Sequence, residues 1–559
     1  MEKILFIVPP HLKFDSFINP AFNARAVHKN GKYYGSVLTD MPLSVLALSA
    51  YVKKYIKVET RLIDFNIALN SVENFAFSSF GAFFENVLQS WKEYAPTIIG
   101  ISALFTPSYQ NALQIARCCR AIFPKAIIIG GGAVPTNMYN DIYRDSQDFD
   151  ALCYGEGEKP LLNLLKADNK SQYFQQSPSW ITREKLNTKY KFEFDFIANL
   201  DEIPFLDYDI SNSDEYALNP AITAYNGGVN EKSKNFHIMT SRGCPHRCSF
   251  CSSHTVHGRA MRYYSVDRVK EDFTRLKEQY GARTFIFQDD HLMGDKKRAL
   301  KIINLLPELG VEVVFQNSLA LYALDRNMLE AIRNAGVRQL VLSVESGSDR
   351  VLKEVMHKPL NLSIIKRVSD DCRVLGIYTN VNVLIGLPGE TKQDIEDARA
   401  FLKTINANWY LIFCATPLVG SEMYDICKAN NYLTDDYSGC DYKQAAISTE
   451  DFTAQYIQEM AYFLNLELNF VQNSDFRLGH FDVALKGFES AIRAKSDHAF
   501  AYAYAAKCYT HLGDLEKAKR YSEIAETIVQ ENIFWKNYLE KFNLKISDLC
   551  PALPSKKAA

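Results

Sequence analysis

Short, almost wholly apolar runs recur along the first three quarters of the chain, each ending in a turn or a polar cluster and each followed by a segment with helical spacing. In the first 195 residues Ile4–Val8 closes at Pro9-Pro10, and Val58–Asp64, Ile98–Ala103, Ala126–Ile129 and Asp150–Tyr154 repeat the form. Runs that are apolar at consecutive positions fit strands buried on both faces. Between them, Ser44–Lys54 carries apolar residues at Val45, Leu48 and Val52 and ends in two lysines, Pro107–Ile122 has helical spacing with an early proline, and a further helix begins near Pro160. Such alternation predicts an open parallel sheet with right-handed crossovers, whose ligands bind beyond the carboxyl ends of the strands. At those ends stand Gly130-Gly131-Gly132 and Gly155-Glu156-Gly157. These glycines serve tight turns, close approach to a ligand, or both.

A polar, glycine-bearing linker is expected over 196–231, most evident from Asn219-Pro220 onward. From about 232 to 445 six further strands follow: Phe236–Thr240, Thr284–Phe287, Val311–Phe315, Leu340–Val344, Asn380–Ile385 and Tyr410–Cys414. Helical segments separate them, among them Val266–Tyr280, Asp325–Ala335, Leu362–Leu375 and Lys392–Ile405. Polar residues gather at the strand ends: Gln288-Asp289-Asp290-His291, Gln316-Asn317 and Glu345-Ser346-Gly347-Ser348. A barrel-like sheet would bring all of these to one face. The pattern turns wholly helical over 450–545, where Gly479-His480-Phe481 and Gly513-Asp514-Leu515 lie 34 residues apart and Leu478/Leu512, Ala484/Ala518 and Ala491/Ala525 keep that offset. The segment 546–559 reads as a tail, frayed from Pro551 to Ala559.

With 559 residues, 63 basic against 65 acidic side chains and a net charge of −2, the chain is long enough for three or four folding units and has no global field for a nucleic-acid backbone. No apolar run approaches the roughly 18 residues of a membrane span, and Met1–Pro10 reads as a first strand instead of a secretion signal. A cytoplasmic location is expected. Of 12 cysteines, nine are scattered, as thiols serving as small core hydrophobes would be. The other three, Cys244, Cys248 and Cys251, fall within eight residues directly after a strand. Soft thiolates at this Cys-x3-Cys-x2-Cys spacing suit an iron–sulfur cluster, or zinc with His246, His254 or His257 as a fourth ligand. The absence of a second cysteine pair and the position after a strand favour the cluster.

With Phe250 in the aromatic place, the Cys244–Cys251 loop resembles that of radical S-adenosylmethionine (SAM) enzymes, as do Val344-Glu345-Ser346-Gly347-Ser348 and Ile385-Gly386-Leu387-Pro388-Gly389-Glu390-Thr391. The resemblance implies a partial (β/α)6 barrel in which Cys244, Cys248 and Cys251 hold a 4Fe-4S cluster. One iron is left free for the amino and carboxylate groups of SAM, whose reductive cleavage yields methionine and a 5′-deoxyadenosyl radical. It also implies that Gln288, Asp289 and Asp290 face the methionyl end, that Glu345 meets the ribose or amino group, and that Phe250, Leu384 and Gly386 lie toward adenine. Asn382 departs from the family pattern, where glycine is common.

The first unit, 1–195, resembles the flavodoxin-like cobalamin-binding domain found ahead of many such enzymes, through Pro42-Leu43-Ser44, Leu62-Ile63-Asp64, Ile99-Gly100-Ile101-Ser102, Ile129-Gly130-Gly131-Gly132 and Asp150 to Glu158. The resemblance implies cobalamin contacts at Ser102, Gly130, Gly131, Gly132, Gly155 and Glu156. The Asp-x-His-x-x-Gly motif of some cobalamin proteins is absent, so a domain keeping the fold without the cofactor is the rival. The 34-residue offset resembles tetratricopeptide repeats, which implies either a docking surface for a protein or peptide or a plain helical cap. Together these features imply a radical SAM enzyme, a cobalamin-dependent methyltransferase or a related cyclase or rearrangement enzyme. Its partners would be a small-molecule or peptide substrate and an electron donor such as flavodoxin or ferredoxin, with no nucleic acid. The alternative is a non-catalytic repeat-bearing adaptor whose metal site is a staple.

Overall fold

The computed structural model describes residues 1–20, 26–37, 39–216, 234–317, 319–434 and 444–549; the expected linker from 217 onward and the tail beyond 549 lie outside the described residues. The N-terminal region contains β1 (Glu2–Val8), a hairpin of β2 (Ala26–Lys29) and β3 (Lys32–Gly35), then β4 (Val58–Asp64), β5 (Ile98–Ser102), β6 (Ile127–Gly131), β7 (Ala151–Cys153) and β8 (Trp180–Ile181). Its main sheet has the order β4-β1-β5-β6-β7-β8, parallel as far as β7 and closed by antiparallel β8. Isoleucine and leucine at successive positions bury both faces, as the runs predict, and the reversal of strand order puts the switch point between β1 and β5. The hairpin and β8 have no sequence signal of their own, because β2 and β3 are partly exposed and β8 has only two residues.

The second region runs through β9 (Asn235–Ile238), β10 (Ser241–Arg242), β11 (Arg262–Tyr263), β12 (Thr284–Phe287), β13 (Glu312–Phe315), β14 (Gln339–Glu345), β15 (Tyr378–Ile385) and β16 (Trp409–Cys414). Two parallel halves, β13-β12-β9 and β14-β15-β16, form a six-stranded partial barrel with helices such as Val266–Tyr280 and Lys392–Leu402 outside it. Alternation assigns the two faces of each strand. Phe285 and Phe287 pack toward the helices, whereas Ile286, Val314 and Val341 form a separate apolar cluster. That cluster is the floor of the lumen, since Ile286 is level with His237 and Val314, and Val341 is level with Asn380.

Helices follow from Ala454 to Leu549, including the successive pairs Phe481–Ala494 with Ala499–Leu512 and Leu515–Glu531 with Ile533–Lys541. Gly479 and Gly513 turn the chain at positive φ, and Ala484, Ala518 and Ala525 are buried where the helices pack. This helical region covers the free edge of β16. Asn469 accepts the Tyr410 N–H and donates to the Tyr410 carbonyl, supplying both bonds that a neighbouring strand would have made. Buried Glu467 pairs with Arg399 and Lys403, and buried Asp475 with Arg373 and Asn408.

Candidate active site

The loop from Cys244 to Cys251 follows β10, and Gly243 precedes it at φ +94, where a side chain would strike the Ala260 carbonyl. β10 pairs with β11 to close the loop's base. Ser249 fastens its far side, its N–H donating to the Met356 carbonyl and its hydroxyl to that of Val355. Burial pushes the Cys244 thiol up to about 11, with Cys251, Asp290 and Cys248 adding to the effect, so the three cysteines are mutual neighbours beside Asp290. Burial also raises the Cys248 thiol, which faces Lys358 and Glu345. These thiols become thiolates when a cationic centre displaces their protons. Among the described residues no three His, Cys, Asp or Glu side chains are arranged about a single metal ion.

The residues expected around SAM fall on the barrel's carboxyl-end mouth. Glu345 ends β14 just past a register shift and holds φ +65, a left-handed conformation that costs a non-glycine residue about 1 kcal/mol or more. Its carboxylate accepts from Lys358 at 3.3 Å, and Lys358 lies 5.8 Å from the Phe250 ring centre. Arg350, also close in sequence to Glu345, pairs with Asp394. Asp289 is 4% exposed and has one oxygen committed: Thr240 donates its N–H and hydroxyl, and Ser241 its hydroxyl, at 2.6–3.0 Å. Gly386 is a packing position, since a Cβ there would meet Ile457 of the C-terminal helices at 2.8 Å. Leu384 is buried one alternation above Asn382.

At the sheet end the expected contacts divide. Ser102 pairs with Gly131 at the ends of β5 and β6, and a Cβ on Gly131 would meet nothing within 4 Å. A Cβ on Gly130 would strike Leu152, and one on Gly132 the Ala103 carbonyl, so these two glycines serve packing. Gly155 lies flat against Phe194, which stacks between Tyr154 and Phe196. Glu156 departs from expectation. At 3% side-chain exposure it accepts from Arg262 at 2.6 Å and His257 at 2.7 Å, and pairs with Arg242 at 3.2 Å. Burial alone would raise its carboxyl, but the Arg242 and Arg262 guanidinium groups and the His257 hydrogen bond hold it well below the usual carboxylate range. Glu156 is therefore a clamp between the sheet region and the cysteine-loop base, and both of its oxygens are taken before any cofactor arrives.

Residues not singled out from the sequence occupy the switch point instead. Leu104 and Phe105, 56% and 41% exposed, follow β5, and His11 after β1 meets the Phe105 ring at 5.4 Å. Nearby, Asp40 accepts from His237 Nε2 at 3.1 Å and from Gln316 Nε2 at 3.0 and 3.1 Å, joining the sheet region to the lumen. An aromatic after a strand-ending Ser-Ala-Leu was the one available signal for the apolar mouth. Contacts between distant segments such as Asp40–Gln316 leave none.

Both mouths fit the groups that the sequence implies. Buried, partnerless polar atoms ring the barrel mouth, at Asp289 Oδ2, Asp290 Oδ2 and Glu390 Oε1, while the sheet offers open backbone and bare apolar side chains. Comparison with known proteins decides between the cluster-bearing enzyme and the adaptor. Residues 238–402 match the radical SAM superfamily and residues 35–165 the B12 binding domain. The chain carries a radical SAM domain behind a B12-binding domain. It is thus a radical SAM enzyme whose cofactors are a 4Fe-4S cluster, SAM and cobalamin. It is 26% identical to the cytidylyl-2-hydroxyethylphosphonate methyltransferase of Streptomyces wedmorensis, over 70% of this chain and 78% of that one. It is 24% identical to the anaerobic magnesium-protoporphyrin IX monomethyl ester cyclase of Cereibacter sphaeroides, over 62% and 57%. Among solved structures, the cobalamin-dependent radical enzyme OxsB with aqua-cobalamin bound superposes at TM-score 0.56 and 14% identity, covering 98% of this chain and 82% of that one. The methyltransferase TsrM of Kitasatospora setae gives 0.54 at 15%, covering 77% of each. No helix among the described residues is long and apolar enough to cross a membrane.

Proposed function

We propose that this chain is a cobalamin-dependent radical SAM methyltransferase acting on a small molecule in the cytoplasm, with Cys244, Cys248 and Cys251 holding the cluster. The observation that carries the reading is the juxtaposition of two mouths: the cysteine loop over a polar lumen, and beside it the apolar, open switch point at His11, Leu104, Phe105 and Gly131. When bound, the cluster supplies the electron that cleaves SAM, and cobalamin carries a methyl group. The chain's own part is placement. Asp290 and Glu345 give the mouth negative charge suited to an ammonium, Lys358 holds Glu345 in place and offers its cation to a carboxylate, and Phe250 shields the loop. Ser102 and Gly131 border the cobalamin face. The C-terminal helices are read as two tetratricopeptide-like repeats that brace the barrel edge, and an electron donor such as flavodoxin or ferredoxin is read as the source of reducing equivalents.

The test is anaerobic reconstitution with iron, sulfide and hydroxocobalamin, followed by dithionite and SAM. About four irons per chain, co-eluting cobalamin, and both 5′-deoxyadenosine and S-adenosylhomocysteine are expected, because methyl donation leaves the latter behind. The cyclase relative favours a second reading, under which 5′-deoxyadenosine forms without S-adenosylhomocysteine. SAM left intact would remove both readings.

A further inference from the structure

One level above the floor of Ile286, Val314 and Val341, strand alternation brings Gln288, Gln316, Ser343 and Asn382 to the lumen, with Ser343 and Asn382 paired in register. Three of these side chains hold a buried polar atom without a partner: the amide nitrogen of Gln288 and the carbonyl oxygens of Gln316 and Asn382. The direction of the Gln316 amide is fixed from outside the barrel. Asp40 accepts its Nε2 at 3.0 and 3.1 Å through both carboxylate oxygens, and a carboxylate cannot accept from a carbonyl, so Oε1 must point away from Asp40. His237 bridges the same carboxylate to the backbone, its Nε2 meeting Asp40 at 3.1 Å and its Nδ1 the Met41 N–H at 3.4 Å. Asp40 brings its carboxylate to this level, and three hydrogen bonds already engage it. A charged ligand here would lose its hydration to side-chain amides and a carboxylate whose hydrogen bonds are already taken, which costs far more than an uncharged group forming hydrogen bonds.

Resting on the radical SAM reading, we propose that this layer is the substrate subsite and takes an uncharged group bearing both donors and an acceptor, such as a carboxamide or lactam. Gln288 would donate, Gln316 and Asn382 would accept, and Asp40 would act as the positioning residue that aims Gln316 from the sheet region. Charged ligand groups belong one level higher, beside Asp290 and Glu345.

The probe is benzamide with its charged counterparts benzoate and benzylamine, observed by saturation-transfer NMR on the full-length, cluster-loaded protein with SAM present. Benzamide should bind at least tenfold more tightly than either charged compound. Gln316→Leu should weaken benzamide about fivefold to tenfold, the loss of one buried hydrogen bond. Asp40→Asn lets the Gln316 amide turn round and should weaken it similarly, and the double variant should lose no more than either single one. Iron content and SAM cleavage without benzamide should stay unchanged in all three variants, which separates this subsite from the SAM site. Absence of benzamide binding, equal binding of the three compounds, or binding that survives Gln316→Leu would overturn the subsite while leaving the enzyme reading intact. Loss of SAM cleavage in Gln316→Leu would reassign the layer to SAM and overturn it too.

Discussion

The sheet region and the barrel are built alike, from parallel strands buried on both faces with helices outside, yet their carboxyl-end mouths are opposites. The sheet presents exposed Leu104 and Phe105, a His11 ring set against Phe105, and bare backbone at Gly131. The barrel presents cysteines, carboxylates and amides around its lumen, with Glu345 held in strained backbone at its rim. Identical architecture therefore says little about the ligand. The residues just past each strand make one mouth suited to a broad, flat molecule and the other to a small, charged one.

The largest effect should come from breaking the barrel mouth alone. Cys248→Ala should abolish iron binding and 5′-deoxyadenosine formation, while hydroxocobalamin binding stays within about twofold of wild type. If iron and cleavage survive, Cys248 is no ligand. If cobalamin is lost as well, the two mouths are not independent sites.

Glu156 tests the seam between the regions. Glu156→Gln leaves Arg242 and Arg262 buried with half their partner gone, and should cost about 3–5 kcal/mol in denaturant unfolding. The sign of the pH dependence follows from the carboxyl being held below its ordinary value of 4.5. The folded state binds fewer protons there, so the stabilisation is complete above about pH 4.5 and falls away as the pH drops below it. The difference between wild type and Glu156→Gln should shrink in the same window. A difference independent of pH would mean packing, not charge, holds the seam.

Breaking the sheet mouth should be milder. Leu104→Asp places a charge on an exposed apolar side chain and should weaken hydroxocobalamin about tenfold, the worth of one side chain's burial, with iron content and SAM cleavage unchanged. Unaltered cobalamin affinity would move the cofactor away from the switch point.

Much of this was legible in the chain. Six barrel strands, five parallel sheet strands and the cysteine loop follow from apolar runs and spacing, because those patterns are local. What the sequence misassigned was Glu156, since a Gly-Glu-Gly turn at a strand end looks the same whether its carboxylate meets a cofactor or two arginines and a histidine about 100 positions away. Asp40 with Gln316, and Asn469 with Tyr410, were invisible for the same reason. Residues that work across an interface carry no periodic signature.

The smallest difference, one of stability between two Glu345 variants, separates strain from function at the polar mouth. Both Glu345→Ala and Glu345→Gly remove the carboxylate and leave Lys358 without its partner, so both should lower SAM cleavage by about tenfold with iron content intact. They differ only in backbone. At φ +65 glycine is at ease and alanine is not, so the glycine variant should be the more stable of the two by about 1 kcal/mol, read as a shift in unfolding midpoint. A faster glycine variant would mean that the strained backbone hinders catalysis. Equal, slow variants with the predicted stability gap would mean the strain is kept because it aims the carboxylate. That outcome would complete the contrast, since the sheet mouth binds with relaxed backbone and apolar area, whereas the barrel mouth holds a charged side chain in a conformation its own chain resists.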